Sequence, residues 1–143
     1  MTSLGSISEQ TLGGVVTTAT HGSGINYGVI STHVMALSLL LPDGSRISCS
    51  RHERPDLFMA SLCGLGLTGI ILSVQVEVEP VFKLKEIKRC LPFDEVISTL
   101  NKHVHSAEHV RLWWFPSKDV VTCSYSNRTK EVRILISSAS LQG

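Results

Sequence analysis

A segment near the N-terminus combines glycines with small hydroxyl side chains in a pattern that could bind a diphosphate. It begins with Thr11, Gly13 and Gly14, and the run Thr-Ala-Thr-His-Gly-Ser-Gly at residues 18–24 completes it. A diphosphate needs converging backbone N–H groups with no side chain in the way, together with hydroxyls that can donate hydrogen bonds. Tight turns capped by Ser and Thr would have the same composition. The residues alone therefore indicate an anion-friendly loop and leave both interpretations open.

A second glycine motif, with Gly64, Gly66 and Gly69 in the spacing G-x-G-x-x-G, resembles a dinucleotide-binding fingerprint. That fingerprint follows a strand and opens a helix, so that the pyrophosphate meets free N–H groups at the helix N-terminus. Here the order is reversed, because a short helical pattern leads in and a strand pattern leads out. We therefore predict a helix-to-strand turn at residues 64–69 and reject a Rossmann site.

The spacing of histidines and cysteines argues against a metal or redox centre. His103 and His105 are two residues apart, so on a helix they would point in different directions. The cysteines form no C-x-x-C pair, which favours buried free thiols over a zinc site or a redox dithiol. They are Cys49, Cys63, Cys90 and Cys123.

Composition indicates a packed globular protein without a polyanionic partner. Apolar residues make up 43% of the chain and charged residues 17%, too hydrophobic a balance for a disordered segment. The formal charge is +1 and no long run of either sign exists, so no nucleic-acid partner is indicated. No apolar run reaches the roughly 18 residues that a membrane span needs, and no signal or transit peptide is visible.

Strand and turn patterns dominate the first half of the chain. Residues 34–41 are apolar on both faces, which predicts a strand in the centre of a sheet. Residues 42–44, Pro-Asp-Gly, predict a turn into a half-exposed strand at residues 46–50. Pro55 suits the first turn of a short helix, and residues 70–79 alternate with period two, as in a strand with one wet face. The expected buried sides are Leu57, Ala60 and Leu62 on the helix and Leu72, Val74, Val76 and Val78 on the strand.

The sequence pattern in the second half of the chain predicts one helix and one hairpin. β-branched and aromatic residues at 110–115 and 120–125 predict two paired strands, joined by a turn at residues 116–119. Trp113 and Trp114 are adjacent, so we expect one to face the core and the other an interface. The predicted amphipathic helix has its apolar face at Val96, Ile97, Leu100 and Val104.

Several ordered motifs together resemble the sugar-1,4-lactone oxidases of the vanillyl-alcohol oxidase superfamily. This family includes the fungal D-arabinono-1,4-lactone oxidases and the animal L-gulonolactone oxidases. The resemblance covers roughly residues 4–130 and depends on the order of the motifs more than on any single one. They lie at residues 5–14, 18–24, 41–45, 55–58, 64–71 and 112–116.

The resemblance implies an α+β fold in three segments. Residues 1–80 would be the second subdomain of a PCMH-type FAD-binding domain, residues 81–131 the start of an antiparallel-sheet cap domain, and residues 132–143 a divergent tail. The cofactor would be FAD, with its diphosphate and ribityl region near residues 11–24 and its adenosine end near the backbone at residue 70. The implied cofactor-binding residues are Thr11, Gly14, Thr18, Thr20, His21, Gly22, Ser23, Gly24 and Ile70. No catalytic residue and no metal ligand are expected.

The family activity is oxidation of an aldono-1,4-lactone, with O2 reoxidising the flavin to give hydrogen peroxide. The resemblance thus implies a small sugar lactone and O2 as partners and a mitochondrial, membrane-associated location. An Arg-Gly-x-Gly-His-Ser type flavin loop does not precede Leu4, and a late His-Trp-Gly-Lys type motif is absent. We therefore expect a fragment that is inactive alone. The alternatives are a non-catalytic remnant or binding module, and another FAD oxidoreductase such as an alditol oxidase or a cytokinin dehydrogenase.

Overall fold

Two three-stranded antiparallel sheets organise the chain in a computed structural model that describes residues 3–131. The strands are β1 Val34–Leu40, β2 Arg46–Ser50, β3 Ile70–Val76, β4 Lys83–Pro92, β5 His109–Phe115 and β6 Val120–Thr129, and the helices are α1 Leu12–Thr17, α2 Pro55–Ser61, α3 Phe93–Ser98 and α4 Leu100–Val104. The first sheet has the order β2-β1-β3 and the second the order β4-β6-β5. Short helices with antiparallel sheets confirm the predicted α+β class. The predicted tail at residues 132–143 lies outside the described residues, and the domain boundary at residue 80 stays a prediction.

The first sheet is built around β1, as its apolar pattern predicts. Strands β2 and β3 pair with it from either side, and Leu37 and Leu39 are buried in the core. The turn into β2 is held by Asp43, whose Oδ1 accepts hydrogen bonds from the Ser45 backbone N–H at 2.9 Å and from its hydroxyl at 2.7 Å. Gly44 has a φ of +84°, which explains why glycine follows the aspartate. The predicted hairpin is confirmed.

Helix α2 covers the first sheet with a different side chain from the predicted one. It begins at Pro55 and ends at Ser61, as the proline predicts. Phe58 is fully buried in the core, with Leu57 and Leu62 half-buried beside it, whereas Ala60 is exposed. The prediction was therefore wrong for Ala60, because the far larger Phe58 gains more from burial on the same short helix.

Strand β3 carries a bulge that changes which of its side chains reach the core. Residues 38 and 39 of β1 lie opposite residues 73 and 71, so the register passes over Leu72. A bulge interrupts the alternation between the two faces of a strand. Ile71 and Val74 consequently pack against the core, while Leu72 is exposed. The predicted burial of Leu72 was wrong for this reason, and that of Val78 was wrong because β3 ends before it.

The second sheet has the longer strand pairs. Residues from Lys83 to Pro92 of β4 pair with β6 through ten successive positions, and β5 pairs with the other edge of β6. A 3-10 turn at Pro116–Lys118 followed by Asp119, with a φ of +52°, joins β5 to β6. This confirms the predicted hairpin.

The single helix predicted before that hairpin is two short helices. Ser98 and Thr99 both donate their hydroxyls to the carbonyl of Glu95, at 3.0 and 2.7 Å. Such side-chain bonds compete with the helical backbone bonds and bend the helix. Helix α3 therefore ends at Ser98 and α4 begins at Leu100, so Val96 is buried whereas Leu100 is exposed.

Candidate cofactor-binding site

The hydroxyl side chains of the N-terminal segment are engaged in capping helix α1. The Thr11 hydroxyl accepts a hydrogen bond from the Gly14 N–H, but at 3.4 Å this bond is long and weak. At the other end of the helix the Thr18 hydroxyl donates to the Gly14 carbonyl at 2.8 Å and lies 3.1 Å from the Thr20 hydroxyl. The capped-turn interpretation of the composition thus describes the local geometry. It still leaves the Gly14 N–H loosely held and the Thr20 hydroxyl on the surface.

Four of the predicted cofactor residues come together on one cavity. Thr11, Gly14, Thr18 and Thr20 line an open concavity of about 220 Å³ together with Gln10 and Val15. The lining contains no carboxylate, so an anion placed there meets no adjacent negative charge from these residues.

The second glycine motif lies directly beside this helix. The backbone N–H groups of Cys63 and Leu65 donate to the last carbonyls of α1, on Val16 and Thr17, at 3.0 and 3.1 Å. These bonds satisfy carbonyl groups that a helix C-terminus leaves unpaired. A Cβ on Gly69 would lie 2.7 Å from the carbonyl oxygen of Leu40, and its φ is +139°, so glycine is required there. Residues 64–69 form a turn that ends in strand β3, which confirms the helix-to-strand prediction.

The remaining predicted residues lie outside the cavity lining. His21 is exposed, and its Nδ1 lies 2.8 Å from the carbonyl oxygen of Gly22. A Cβ on Gly22 would clash with the backbone of Ser3, and one on Gly24 with the ring of Tyr27, so these glycines allow close chain packing. Ile70 begins β3 opposite Leu40 and is exposed, while Ser23 lines a different cavity. Their roles as cofactor residues stay predictions.

A larger cavity of about 520 Å³ lies between the second sheet and the segment that joins the two sheets. Its polar lining combines Ser23 with Glu79, His109, Arg111 and Ser126. These residues come from a loop, an inter-strand segment and two strands, so no local spacing in the sequence could have identified them as neighbours. His109 is buried, and its Nε2 atom makes no hydrogen bond with any described residue.

No three His, Cys, Asp or Glu side chains within residues 3–131 are grouped as metal ligands would be. The cysteines are free over this range; Cys49 and Cys123 are buried as predicted. The prediction was wrong for Cys63 and Cys90, which are exposed because one lies in the glycine turn and the other on edge strand β4. In the same range no helix has the length and apolar character needed to cross a bilayer.

Comparison with a solved structure defines the class of fold. A mutant cholesterol oxidase from Brevibacterium sterolicum superimposes with a TM-score of 0.80 at 16% sequence identity, over 92% of this chain and 28% of that one. At this identity the likeness concerns the fold alone. The two sheets and their short helices are therefore an arrangement that also occurs within a larger oxidase.

Sequence comparison then shows which oxidases the chain is similar to. A family model described as D-arabinono-1,4-lactone oxidase matches residues 74–143. L-gulonolactone oxidase of Mus musculus is 35% identical over 131 residues, which are 92% of this chain and 30% of that protein. A putative D-arabinono-1,4-lactone oxidase of Neurospora crassa is 41% identical over 115 residues, which are 80% of this chain and 21% of that protein. The chain is thus similar in sequence to proteins named as sugar-1,4-lactone oxidases, as its motifs predict, and it spans less than a third of the length of these proteins.

Proposed function

We propose that this chain is part of an FAD-dependent aldonolactone oxidase and supplies one wall of its cofactor site. The proposal rests on the convergence of Thr11, Gly14, Thr18 and Thr20 on one cavity, in a chain whose relatives bear the names of lactone oxidases. When bound, FAD supplies the hydride acceptor for the hydroxyl-bearing carbon of the lactone, and O2 reoxidises it with release of hydrogen peroxide.

The cavity suits a phosphate-sized part of FAD. The weakly held N–H of Gly14 is a donor that a diphosphate oxygen could accept from, and no carboxylate lies in the lining. The Thr20 hydroxyl, which donates to Thr18 because the Thr18 proton goes to the Gly14 carbonyl, would become a second donor by turning toward the cavity. These residues would bind and orient the cofactor, and the protons and electrons of the reaction are not assigned to any of them.

Substitution of Gly14 tests this wall of the site. In a chimera where this chain replaces the matching 131 residues of the mouse L-gulonolactone oxidase, Gly14→Val should lower the FAD content per protein. Gly14 lies within α1, so the effect comes from bulk in the cavity rather than from a left-handed backbone. Gly13→Val adds the same side chain to the same helix outside the lining and is the matched control. Equal flavin absorbance in both variants and the parent chimera would remove this cavity from the site.

Alone, the 143-residue chain should neither retain FAD tightly nor oxidise an aldonolactone. It spans 30% of the length of the mouse relative, so a flavin held on this one wall lacks the enclosure that excludes water and orients a substrate. Purified chain mixed with FAD should therefore produce no hydrogen peroxide from D-arabinono-1,4-lactone or L-gulono-1,4-lactone above the free-flavin background. Turnover above that background would contradict this part of the proposal.

Two further parts of the proposal come from the family resemblance. The names of the sequence relatives favour the lactone oxidases over an alditol oxidase or a cytokinin dehydrogenase. Association with a mitochondrial membrane would follow from that family, and fractionation of cells expressing the tagged protein would test it. A non-catalytic binding module is the second candidate, favoured by the exposed apolar side chains of the second sheet, and the chimera's lactone oxidation would exclude it.

A further inference from the structure

The end of the predicted cofactor segment is attached to the second sheet. We call residues 23–27 the junction loop. Its Ser23 carbonyl accepts a hydrogen bond from the Val110 N–H of β5 at 3.0 Å, and the Tyr27 N–H donates to the Gly24 carbonyl at 3.1 Å, which closes a turn. A Cβ on Gly24 would lie 2.9 Å from the backbone oxygen of Glu108. The loop therefore packs backbone to backbone against the start of β5.

The carboxylate of Glu108 binds the side chain of Tyr27 in this loop. Glu108 Oε1 accepts hydrogen bonds from the Tyr27 hydroxyl at 2.6 Å and from Arg128 Nε at 2.7 Å. The ring of Tyr27 also stacks on His109, with 5.5 Å between the ring centroids. Tyr27 can release this carboxylate only by giving up a short, charge-assisted bond, so the loop and β5 are held together by more than backbone contact.

Arg128 extends the connection to the segment that joins the two sheets. Its Nη1 and Nη2 atoms donate to the two carboxylate oxygens of Glu79 at 2.6 and 3.1 Å, a paired geometry that a guanidinium can adopt and an ammonium cannot. Its guanidinium also lies 4.2 Å above the centre of the Phe82 ring. Arg128 on β6 thus binds two carboxylates at the same time. One is Glu108, which accepts from Tyr27 of the junction loop, and the other is Glu79 in the segment between the two sheets.

We propose that Arg128 is a positioning residue that, through Glu108, holds the junction loop against the second sheet. Without it, Glu108 would lose the donor that fixes its Oε1 toward Tyr27, and the turn at residues 24–27 would open more often. The loop contains Ser23 and Gly24, the last two residues of the predicted cofactor segment at residues 18–24, so its position would set the end of that segment. That consequence rests on the proposed function, whereas the attachment itself does not.

Amide hydrogen exchange in the chain without FAD tests the attachment. The two reporters are the N–H groups of Tyr27 and Val110, which make the bonds at the loop, and the Gly44 N–H in the β1–β2 turn is the reference amide in the first sheet. Arg128→Gln should speed exchange at both reporters about tenfold and leave Gly44 within about twofold. Arg128→Lys should fall between Arg128→Gln and the parent chain, because lysine keeps the charge but cannot hold both carboxylates in the same geometry.

A matched control and a second variant make the test decisive. Lys85→Gln removes another exposed ion pair next to the same sheet, 3.0 Å from Glu131, and should leave both reporters unchanged. If Arg128→Gln does not fold, Tyr27→Phe removes one hydroxyl and should speed the same amides about threefold. Unchanged reporters in the folded variants, or an equal increase at Gly44, would overturn the proposal. Because FAD is absent, this result is independent of whether the cofactor proposal succeeds.

Discussion

Both sheets of this protein are held by antiparallel strand pairing, but they bury their side chains very differently. The first sheet, with helices α1 and α2, encloses a cluster in which Val16, Leu39 and Phe58 are fully buried. In the second, all of β4 except Leu91 is exposed, and the buried cluster is confined to Val96, Val121 and Cys123 among the residues the structure describes.

The difference shows that strand pairing and core formation have separate causes. Ten successive pairs hold β4 to β6, because backbone hydrogen bonds need only two extended segments in register. Burial needs a covering element, and among the described helices only α3 contributes a fully buried side chain, Val96, to the second cluster. Large side chains such as Trp113 and Trp114 consequently remain about half exposed. The stability of the described chain should therefore depend mainly on the first sheet.

Removal of a core aromatic should give the largest effect. Phe58 is fully buried in the first cluster, and Phe58→Ala should lower the free energy of unfolding by about 3–5 kcal/mol through lost burial and a cavity. Phe115→Ala is the matched change in the second sheet, where the side chain is 47% exposed, and should cost about 1 kcal/mol or less. Urea denaturation followed by circular dichroism measures both. Equal losses would show that the second sheet is as tightly packed as the first.

A methyl group added at Gly24, where the junction loop contacts the start of β5, should have an intermediate effect on stability. A Cβ on Gly24 would lie 2.3 Å from the Tyr27 ring and 2.9 Å from the Glu108 backbone, so Gly24→Ala should destabilise by about 1–3 kcal/mol. Gly13→Ala meets open space in helix α1 and should stabilise by about 0.5–1 kcal/mol. Thermal unfolding of the pair separates the two cases. The same sign for both changes would mean that the regions do not pack against each other as described.

Lowering the pH should weaken the contact of Glu108 with Tyr27 and Arg128, and we expect this to be the smallest of the three changes in stability. Burial raises the pKa of Glu108, but the hydrogen bonds from Tyr27 and Arg128 together lower it by more than burial raises it. The pKa of Glu108 therefore lies below its usual value. His109 Nε2, 3.8 Å away, also favours the charged carboxylate when protonated. Because the folded pKa is depressed, this stabilisation is present above the unfolded value of about 4.3 and is lost as the pH falls through the folded pKa.

Comparison with an uncharged variant isolates that contribution. At pH 6 Glu108→Gln should be less stable than the parent chain by under about 1 kcal/mol, since the pair is partly exposed to solvent. The gap should narrow as the pH falls below about 4.3 and through the folded pKa of Glu108. A difference that is constant with pH would assign the effect to packing instead of charge.

Local patterns in the sequence were sufficient wherever neighbouring residues decide the conformation. Apolar residues on both faces placed β1 in the centre of its sheet, and the Pro-Asp-Gly run at residues 42–44 made the turn that its φ and capping preferences favour. The glycine motif before β3 was correctly predicted as a turn, because the order of helix and strand around it can be read along the chain. The glycine and hydroxyl cluster likewise identified four residues that share one cavity.

Tertiary structure alone decided features that depend on distant partners. The register of β3 against β1 bulges at Leu72, and this exposes a side chain that the alternation places in the core. Gly24 is required because the Glu108 backbone, more than eighty positions further along the chain, occupies the space beside it. Arg128 was unremarkable in the sequence, since its two carboxylate partners are 20 and 49 residues away. A sequence pattern records which faces are apolar, but which residues meet across the fold depends on where the loops between the strands are placed in three dimensions.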